Sequence, residues 1–460
     1  MMIKQFQKTL FIFRRDLRLE DNLGLLFALK KSQTVIPSFI FTPEQVEDTT
    51  YRSDRCLQFM IESLQELGET LKTKKSNLYL FYGKPHEIVA ECITKIAVDA
   101  IVVNRDYTPY SERRDQKILS VCKSLNVPFF SIDDALLHST TELLKADDTP
   151  YTLFTPFYRK AMKLSVQAPM ANLLSNYYSG QIAFAKKKSL FRTILPHKQK
   201  QQPGGRLAGL KILKKIRLFT HYEQIRDFPA ELGTTHLSAH LKFTTISSRE
   251  VYHAIVSQLG EESELIRALH WRDFFAYIAY YFPHVFKGAF HQKFDTLTWN
   301  LDKNCFRRWC EGNTGFPLVD AGMRELNQTG YMHNRVRMLT ACFLIKDLHI
   351  NWRWGERYFA QHLIDYDPAV NNGNWQWVAG TGADTMPYFR VFNPWVQSAK
   401  FDKECLYIKH WIPELSTLPA KIIHTWYVKD YHKLCPEYSP PVIEHTKEAE
   451  LAVRMYKKII

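Results

Sequence analysis

Two periodicities divide the chain. Over the first 140 or so residues, short apolar and β-branched runs at 9–13, 34–41, 78–82, 100–103 and 128–132 alternate with amphipathic stretches, and the middle runs are apolar on both faces. Strands that hide both faces belong in a parallel sheet covered by helices. Between the runs, Leu57, Met60, Ile61, Leu64, Leu67 and Leu71 recur at the spacing of a helix laid on that sheet. The pattern predicts an α/β domain with a doubly wound parallel sheet over residues 1–140. From residue 216 to 460 strand-like alternation disappears and helical spacing takes over, with long candidates at 249–259, 265–282 and 319–348, which predicts an all-α domain. The intervening 141–215, with its turns, its Lys186-Lys187-Lys188 run and the broken stretch 199–205, reads as a solvated interdomain linker without chemistry.

Composition agrees with two cores, since 460 residues exceed the usual single domain and 45% are hydrophobic. Lys plus Arg exceed Asp plus Glu by 61 − 47 = 14, a surplus that favours a polyanionic partner such as nucleic acid, with solubility as the plainer explanation. The eight cysteines form no Cys-x-x-Cys pair, so neither a zinc site nor a disulfide framework is expected and the thiols read as reduced. No apolar run reaches bilayer length, and the expectation is a soluble, cytoplasmic protein without a membrane partner.

Candidate chemistry gathers in the second half. The first strand leads into Arg14-Arg15-Asp16-Leu17-Arg18 rather than a glycine-rich turn, which argues against a dinucleotide site of the NAD type. Residues 371–377 hold Asn371, Asn372, Asn374, Trp375 and Trp377, too polar for a core helix and too aromatic for an ordinary loop. Such a stretch lines a site, or else is a loop whose rings fill a gap between helices. Thr234, Thr235 and Ser238 precede a helical run, as a phosphate cradle or as simple caps. Asn334, Arg337 and Met338 share a helix face; Arg335 points elsewhere, to a phosphate or to a solvated ion pair.

Taken in order, Phe13-Arg14-Arg15-Asp16-Leu17-Arg18-Leu19-Glu20-Asp21-Asn22, Trp271-Arg272-Asp273-Phe274-Phe275, residues 332–338 and residues 371–377 strongly resemble the cryptochrome/photolyase family, within it the class I cyclobutane pyrimidine dimer photolyases. The resemblance spans the whole chain. It implies a light-driven enzyme in which excited reduced FAD gives an electron to a dimer flipped out of ultraviolet-damaged DNA, acting as a monomer. Tyr222, Thr234, Thr235, His236, Leu237, Ser238, Arg272, Arg337, Asp365, Tyr366 and Asp367 match positions that hold FAD, with Arg337 expected to pair with Asp365 and Asn371 to face flavin N5. Trp375, Trp352 and Trp299 match an electron relay. Trp271 and Trp377 match the walls around the dimer, with Asn334 and Met338 beside them, and Arg226, Arg335 and Gln397 match DNA contacts.

Three departures stand out. Phe243 is followed by Thr244 where relatives commonly have glycine, a change expected to be neutral. Residues 104–110 lack the acidic residue that holds a folate antenna in some relatives, leaving folate, a deazaflavin, another flavin or no second chromophore open. Ala268 stands at a position of the DNA-binding face where the repair branch presents Glu, so the contact to the lesion is either missing or supplied by a neighbour such as His270 or an ordered water. Two other functions come from the same family: a cryptochrome-like blue-light receptor, against which Asn371 argues, and a (6-4) photoproduct photolyase, whose paired pocket histidines are replaced here by Asn334 and Met338.

Overall fold

The structure, a computed structural model, describes residues 4–47, 50–195, 199 and 201–459. Five strands, β1 (Phe6–Phe13), β2 (Ser32–Phe41), β3 (Tyr79–Tyr82), β4 (Ala100–Asn104) and β5 (Phe129–Ile132), form one sheet in the order β3-β2-β1-β4-β5. All pairs are parallel, with Phe11 opposite Pro37 on one side and Val102 on the other. The predicted runs therefore differ from the strands only at their ends. Helices α1 (Leu23–Lys31), α2 (Asp54–Thr73), α3 (Pro85–Ile96) and α4 (Pro109–Ser124) make the crossovers. Leu57, Met60, Ile61, Leu64, Leu67 and Leu71 are all buried, as their spacing requires.

The structure divides into two compact units, Met1–Leu218 with Thr235–Tyr281, and Phe219–Thr234 with Phe282–Ile460. The segment expected to be a solvated linker belongs to the first unit. Tyr178 N–H donates to Val35 O at 2.8 Å and Lys186 N–H to Leu80 O at 2.7 Å, so this segment satisfies exposed backbone along β2 and β3. It also carries α5 (Phe154–Ala161), whose Phe154 and Phe157 are buried. Part of 196–200 lies outside the described residues.

The helices α6 (Ser248–Leu259) and α7 (Glu264–Tyr281) fall in the same unit as the sheet. They are tied to it by a buried group of four charges. Arg18 grips the Asp134 carboxylate at 2.7 and 2.8 Å, while Arg249 reaches Asp21 at 2.9 Å and Asp134 at 2.8 Å. All four side chains are almost fully enclosed. Burial alone pushes the Asp134 carboxyl up, but Arg18 and Arg249 bring it below its ordinary value.

Thr244 belongs to this arrangement and is not neutral. Its φ of +33° lies in the left-handed region where glycine is at ease and a β-branched residue is strained. Its hydroxyl accepts from Arg18 Nη1 at 2.8 Å and donates to Arg15 O at 2.8 Å, so the strain is held by two hydrogen bonds, the first of them buried.

The second unit is helical: α8 (Lys303–Glu311), α9 (Pro317–Thr329), α10 (Asn334–Cys342), α11 (Trp352–His362), α12 (Pro368–Ala379), α13 (Pro394–Phe401) and α14 (His445–Lys457). The single helix expected over 319–348 is broken. Gly330, at φ +74°, closes α9, and the His333 side chain accepts from Arg335 N–H to start α10, which ends in a π-helical turn, Phe343–Asp347. All eight cysteines are free thiols. Among the described residues no helix is long and apolar enough to cross a membrane.

The Thr244 geometry predicts an inverted mutational order. Thr244→Ala keeps the strain and loses both hydrogen bonds, whereas Thr244→Gly loses the bonds but relieves the strain, so the glycine variant should be more stable than the alanine variant by about 1 kcal/mol in denaturant titrations. Alanine at least as stable as glycine would contradict the strained backbone.

Candidate functional site

The stretch 371–377 is not a loop: it lies in α12, which is capped by Asp367 and has Pro368 in its first turn. Its polarity is spent on a neighbouring loop. Asn372 Nδ2 donates to Val285 O at 3.2 Å, Gln376 Nε2 donates to Val285 O at 3.0 Å, and Gln376 Oε1 accepts from Phe290 N–H at 2.8 Å. A helix can carry so many amides inside a core because each finds a backbone partner.

Asn371, on the same helix, is buried and donates through Nδ2 to Glu356 O at 3.0 Å and to Glu356 Oε1 at 2.9 Å. With both amide hydrogens committed, the group it has left to offer is a carbonyl oxygen. Arg337 pairs with Asp365 through two contacts of 3.2 and 3.0 Å, donates to Met332 O at 2.8 Å and lies over the Tyr331 ring. The Asp367 carboxylate accepts from Ala369 and Val370 N–H, so it caps α12 whatever else it holds. Tyr366 is partly buried against the helical core, and Tyr222 lies under the Arg226 guanidinium at 5.8 Å.

The predicted cradle does not cap. The helix that follows it, Ser238–Lys242, has Leu237 at its N-cap with no side-chain bond. Thr235 Oγ1 accepts weakly from Leu237 N–H at 3.4 Å, His236 adopts φ +53° and Ser238 is exposed. Thr234, in the second unit, meets Tyr331 OH at 3.3 Å. The Arg272 guanidinium donates to Ala135 O and pairs with the Asp273 carboxylate.

Trp375 and Trp352 are equally buried, at 2% and 3% exposure, whereas Trp299 is partly exposed. The Trp375 ring meets Phe359 at 5.0 Å and Trp309 at 6.2 Å. Gly355 is required by this packing, because a Cβ there would lie 2.1 Å from the Trp375 ring. Trp309, fully buried in α8, was missed by sequence reasoning; its signal was an aromatic pair, Phe306 and Trp309, three positions apart on a helix otherwise made of polar residues and cysteines. Trp377, two positions after Trp375, projects from a different side of α12 and remains half-buried.

Asn334 is exposed with its amide 3.9 Å from Met338 Sδ, so these two do share a face. Arg335 is ion-paired to Asp227 at 2.6 Å and lies 4.5 Å over the Phe401 ring. Gln397 is half-buried on α13. In the first unit, Ala268 is exposed on α7, while His270 is buried, stacked on His138 and edge-on to Tyr158. Burial and the His138 charge push its pKa down to about 4, and it does not reach the surface that Ala268 occupies. His270 therefore fails as the substitute donor.

A sequence model described as DNA photolyase matches residues 9–173, and one described as FAD binding domain of DNA photolyase matches residues 265–458. The deoxyribodipyrimidine photo-lyase of Alkalihalophilus pseudofirmus is 33% identical over 97% of each chain. The chain belongs to the DNA photolyase family. Among solved photolyase-family structures, an archaeal photolyase from Sulfolobus tokodaii with two FAD molecules is similar at TM-score 0.88 and 42% identity, covering 98% of this chain and 100% of its own. A Synechocystis cryptochrome matches at TM-score 0.90 and 27% identity over 99% and 100%, so the photolyase-family fold by itself does not separate repair from light reception.

Behind the Arg337–Asp365 pair, Glu325 accepts from Tyr407 OH at 2.6 Å and His333 N–H at 3.2 Å, and so anchors the start of α10. Burial pushes its carboxyl up to about 7, with Tyr407, His333 and Arg337 pulling the other way. The folded protein keeps this proton while the unfolded chain loses it near the ordinary carboxylate value. Stability must therefore fall as pH rises from about 4.5 to 7, by about 3 kcal/mol in all. Glu325→Gln, whose amide oxygen can accept both hydrogen bonds, should lack that fall in urea titrations at pH 5 and pH 8. Equal pH dependence in the two proteins would show that Glu325 ionises normally.

Proposed function

We propose that this chain is a light-driven DNA repair enzyme that splits cyclobutane pyrimidine dimers with reduced FAD. The observation that carries the reading is Asn371: its amide nitrogen is held by Glu356, and a fixed carbonyl oxygen suits a flavin whose N5 bears a hydrogen, the reduced form. When bound, that cofactor supplies light absorption and the electron that opens the cyclobutane ring. The rest of the chain is assigned to binding, geometry and the delivery of electrons to that cofactor. Tyr222, Thr234, Thr235, His236, Leu237, Ser238, Asp365, Tyr366 and Asp367 are assigned to holding FAD, with the Arg337 guanidinium fixed by Asp365. Trp375, Trp352 and Trp299 are assigned to electron delivery, and the partial exposure of Trp299 beside two buried indoles supports its place at the outer end. For a second chromophore, the Sulfolobus relative described with two FAD molecules favours another FAD.

A dimer stacks poorly, so flipping it costs less than flipping normal bases, and aromatic walls at Trp271 and Trp377 offset the remainder. Asn334 and Met338 lie on the exposed face assigned to the lesion. Arg226, Arg335 and Gln397 are assigned to DNA contacts, Arg335 to a phosphate, consistent with the net charge of +14. For Arg335 this assignment requires an exchange of partners, since Asp227 holds its guanidinium.

The test of the function itself centres on Ala268. Reduced, FAD-loaded protein should remove cyclobutane dimers from ultraviolet-damaged oligonucleotides under blue light. Ala268→Glu should raise the quantum yield severalfold, because a hydrogen bond to a charged group is worth about 1.5–3 kcal/mol, while dark affinity for the dimer changes by less than about threefold. An already high yield that the substitution leaves unchanged would remove Ala268 as a deficit. Dark binding without repair by either form would favour the receptor reading.

A second test separates the phosphate role of Arg335 from a structural ion pair. Asp227→Asn frees the guanidinium, so binding to damaged and undamaged DNA should tighten alike and the slope of log K against log salt should steepen by about 0.9. In an Arg335→Ala background the same substitution should do nothing. An unchanged slope in the first comparison rejects the phosphate contact.

A further inference from the structure

Trp271 is the lesion-wall residue assigned to the first unit, and its tightest neighbour comes from the segment that sequence reasoning left without chemistry. The Phe154 ring, at the start of α5, lies 3.7 Å from the Trp271 ring at an interplanar angle of 9°. Phe154 in turn stacks on Tyr158 at 5.5 Å and 12°, and the Arg267 guanidinium lies over both, 5.6 and 5.7 Å from the ring centres. The far side is held by Phe274, edge-on to Phe154 at 5.7 Å and to Trp271 at 5.8 Å.

Phe154 is only 1% exposed, whereas Trp271 is partly exposed. The indole is therefore the outer leaf of a packed column, with an inner leaf that cannot move without disturbing the core. Arg267, one turn before Trp271 on α7, caps this column with a charge that further favours a parallel, electron-rich stack.

We propose that Phe154 is a positioning residue for lesion recognition: it holds the Trp271 ring in the plane that a flipped dimer stacks against, so that the wall is ordered before DNA arrives. This rests on the reading of Trp271 as a wall of the dimer pocket. A side chain that must be immobilised on binding weakens association, by an amount that corresponds to about three- to tenfold for one ring. An indole already clamped face to face escapes that loss. Undamaged duplex, which does not insert a base pair against Trp271, gains nothing from the clamp. Phe154 thus contributes to discrimination and not to general affinity.

The experiment is dark equilibrium binding of the FAD-loaded protein to an oligonucleotide with one thymine dimer and to its undamaged counterpart. Phe154→Leu keeps apolar volume but removes the flat face, and should lower the damaged-to-undamaged affinity ratio about three- to tenfold with undamaged binding unchanged. Phe154→Tyr should restore the ratio. Circular dichroism and FAD content confirm that each variant is folded. Trp271→Ala, measured alongside, separates the two ideas. If it leaves the ratio intact, Trp271 is not a wall and the underlying reading fails. If Trp271→Ala collapses the ratio while Phe154→Leu does not, the wall stands and the positioning role of Phe154 is overturned.

Discussion

Four charges without access to water, Arg18, Asp21, Asp134 and Arg249, are the constraint from which the first unit takes its form. They come from the turn after β1, the residues just beyond β5 and the helix α6, three places far apart in the chain. Two cations balance two anions, and each carboxylate has further donors: Leu23 N–H on Asp134, Met170 N–H and Ser247 Oγ–H on Asp21. Such a group adds little net stability compared with apolar packing, but losing one member leaves a buried charge unpaired, at about 3–5 kcal/mol. The consequence is registry. Alternative placements of α6 on the sheet are excluded, and α7, with Trp271 and Ala268, follows.

The helical unit uses amides and carboxyls for the same purpose. Amides on α12 staple the 283–290 loop, the Glu325 carboxyl fixes the start of α10, and Asp320, pushed up by burial, accepts from Thr314, Gly315 and Tyr438. This fits chemistry in which an electron moves and no side chain has to transfer a proton. An electron-transfer site needs fixed distances and a fixed hydrogen-bond direction at one atom, and a neutral amide anchored on both hydrogens gives that direction.

The sheet was legible because its strands hide both faces, a pattern that few other structures produce. The helices at 248–259 and 264–281 were legible by spacing, but 319–348 was not, because a glycine break and a new cap interrupt a continuous apolar stripe. Residues 371–377 were read as a site without being recognised as a helix, since composition alone does not show that each amide has a backbone partner. The linker was misread for a related reason. Its backbone pairs with β2 and β3 through main-chain groups that leave no side-chain pattern, and Phe154 looks like any other aromatic until α7 is placed beside it. Thr244 was judged by residue type, whereas its backbone angle decides its effect.

The buried charges make α6 and α7 one cooperative body with the parallel sheet. Native-state hydrogen exchange measures this directly. Amides of Ser248–Leu259 and Glu264–Tyr281 should open together with β1 and β4, with the same free energy and the same denaturant dependence. Exchange of α7 at a distinctly lower free energy, in step with α9 to α12 while the sheet stays protected, would contradict the account.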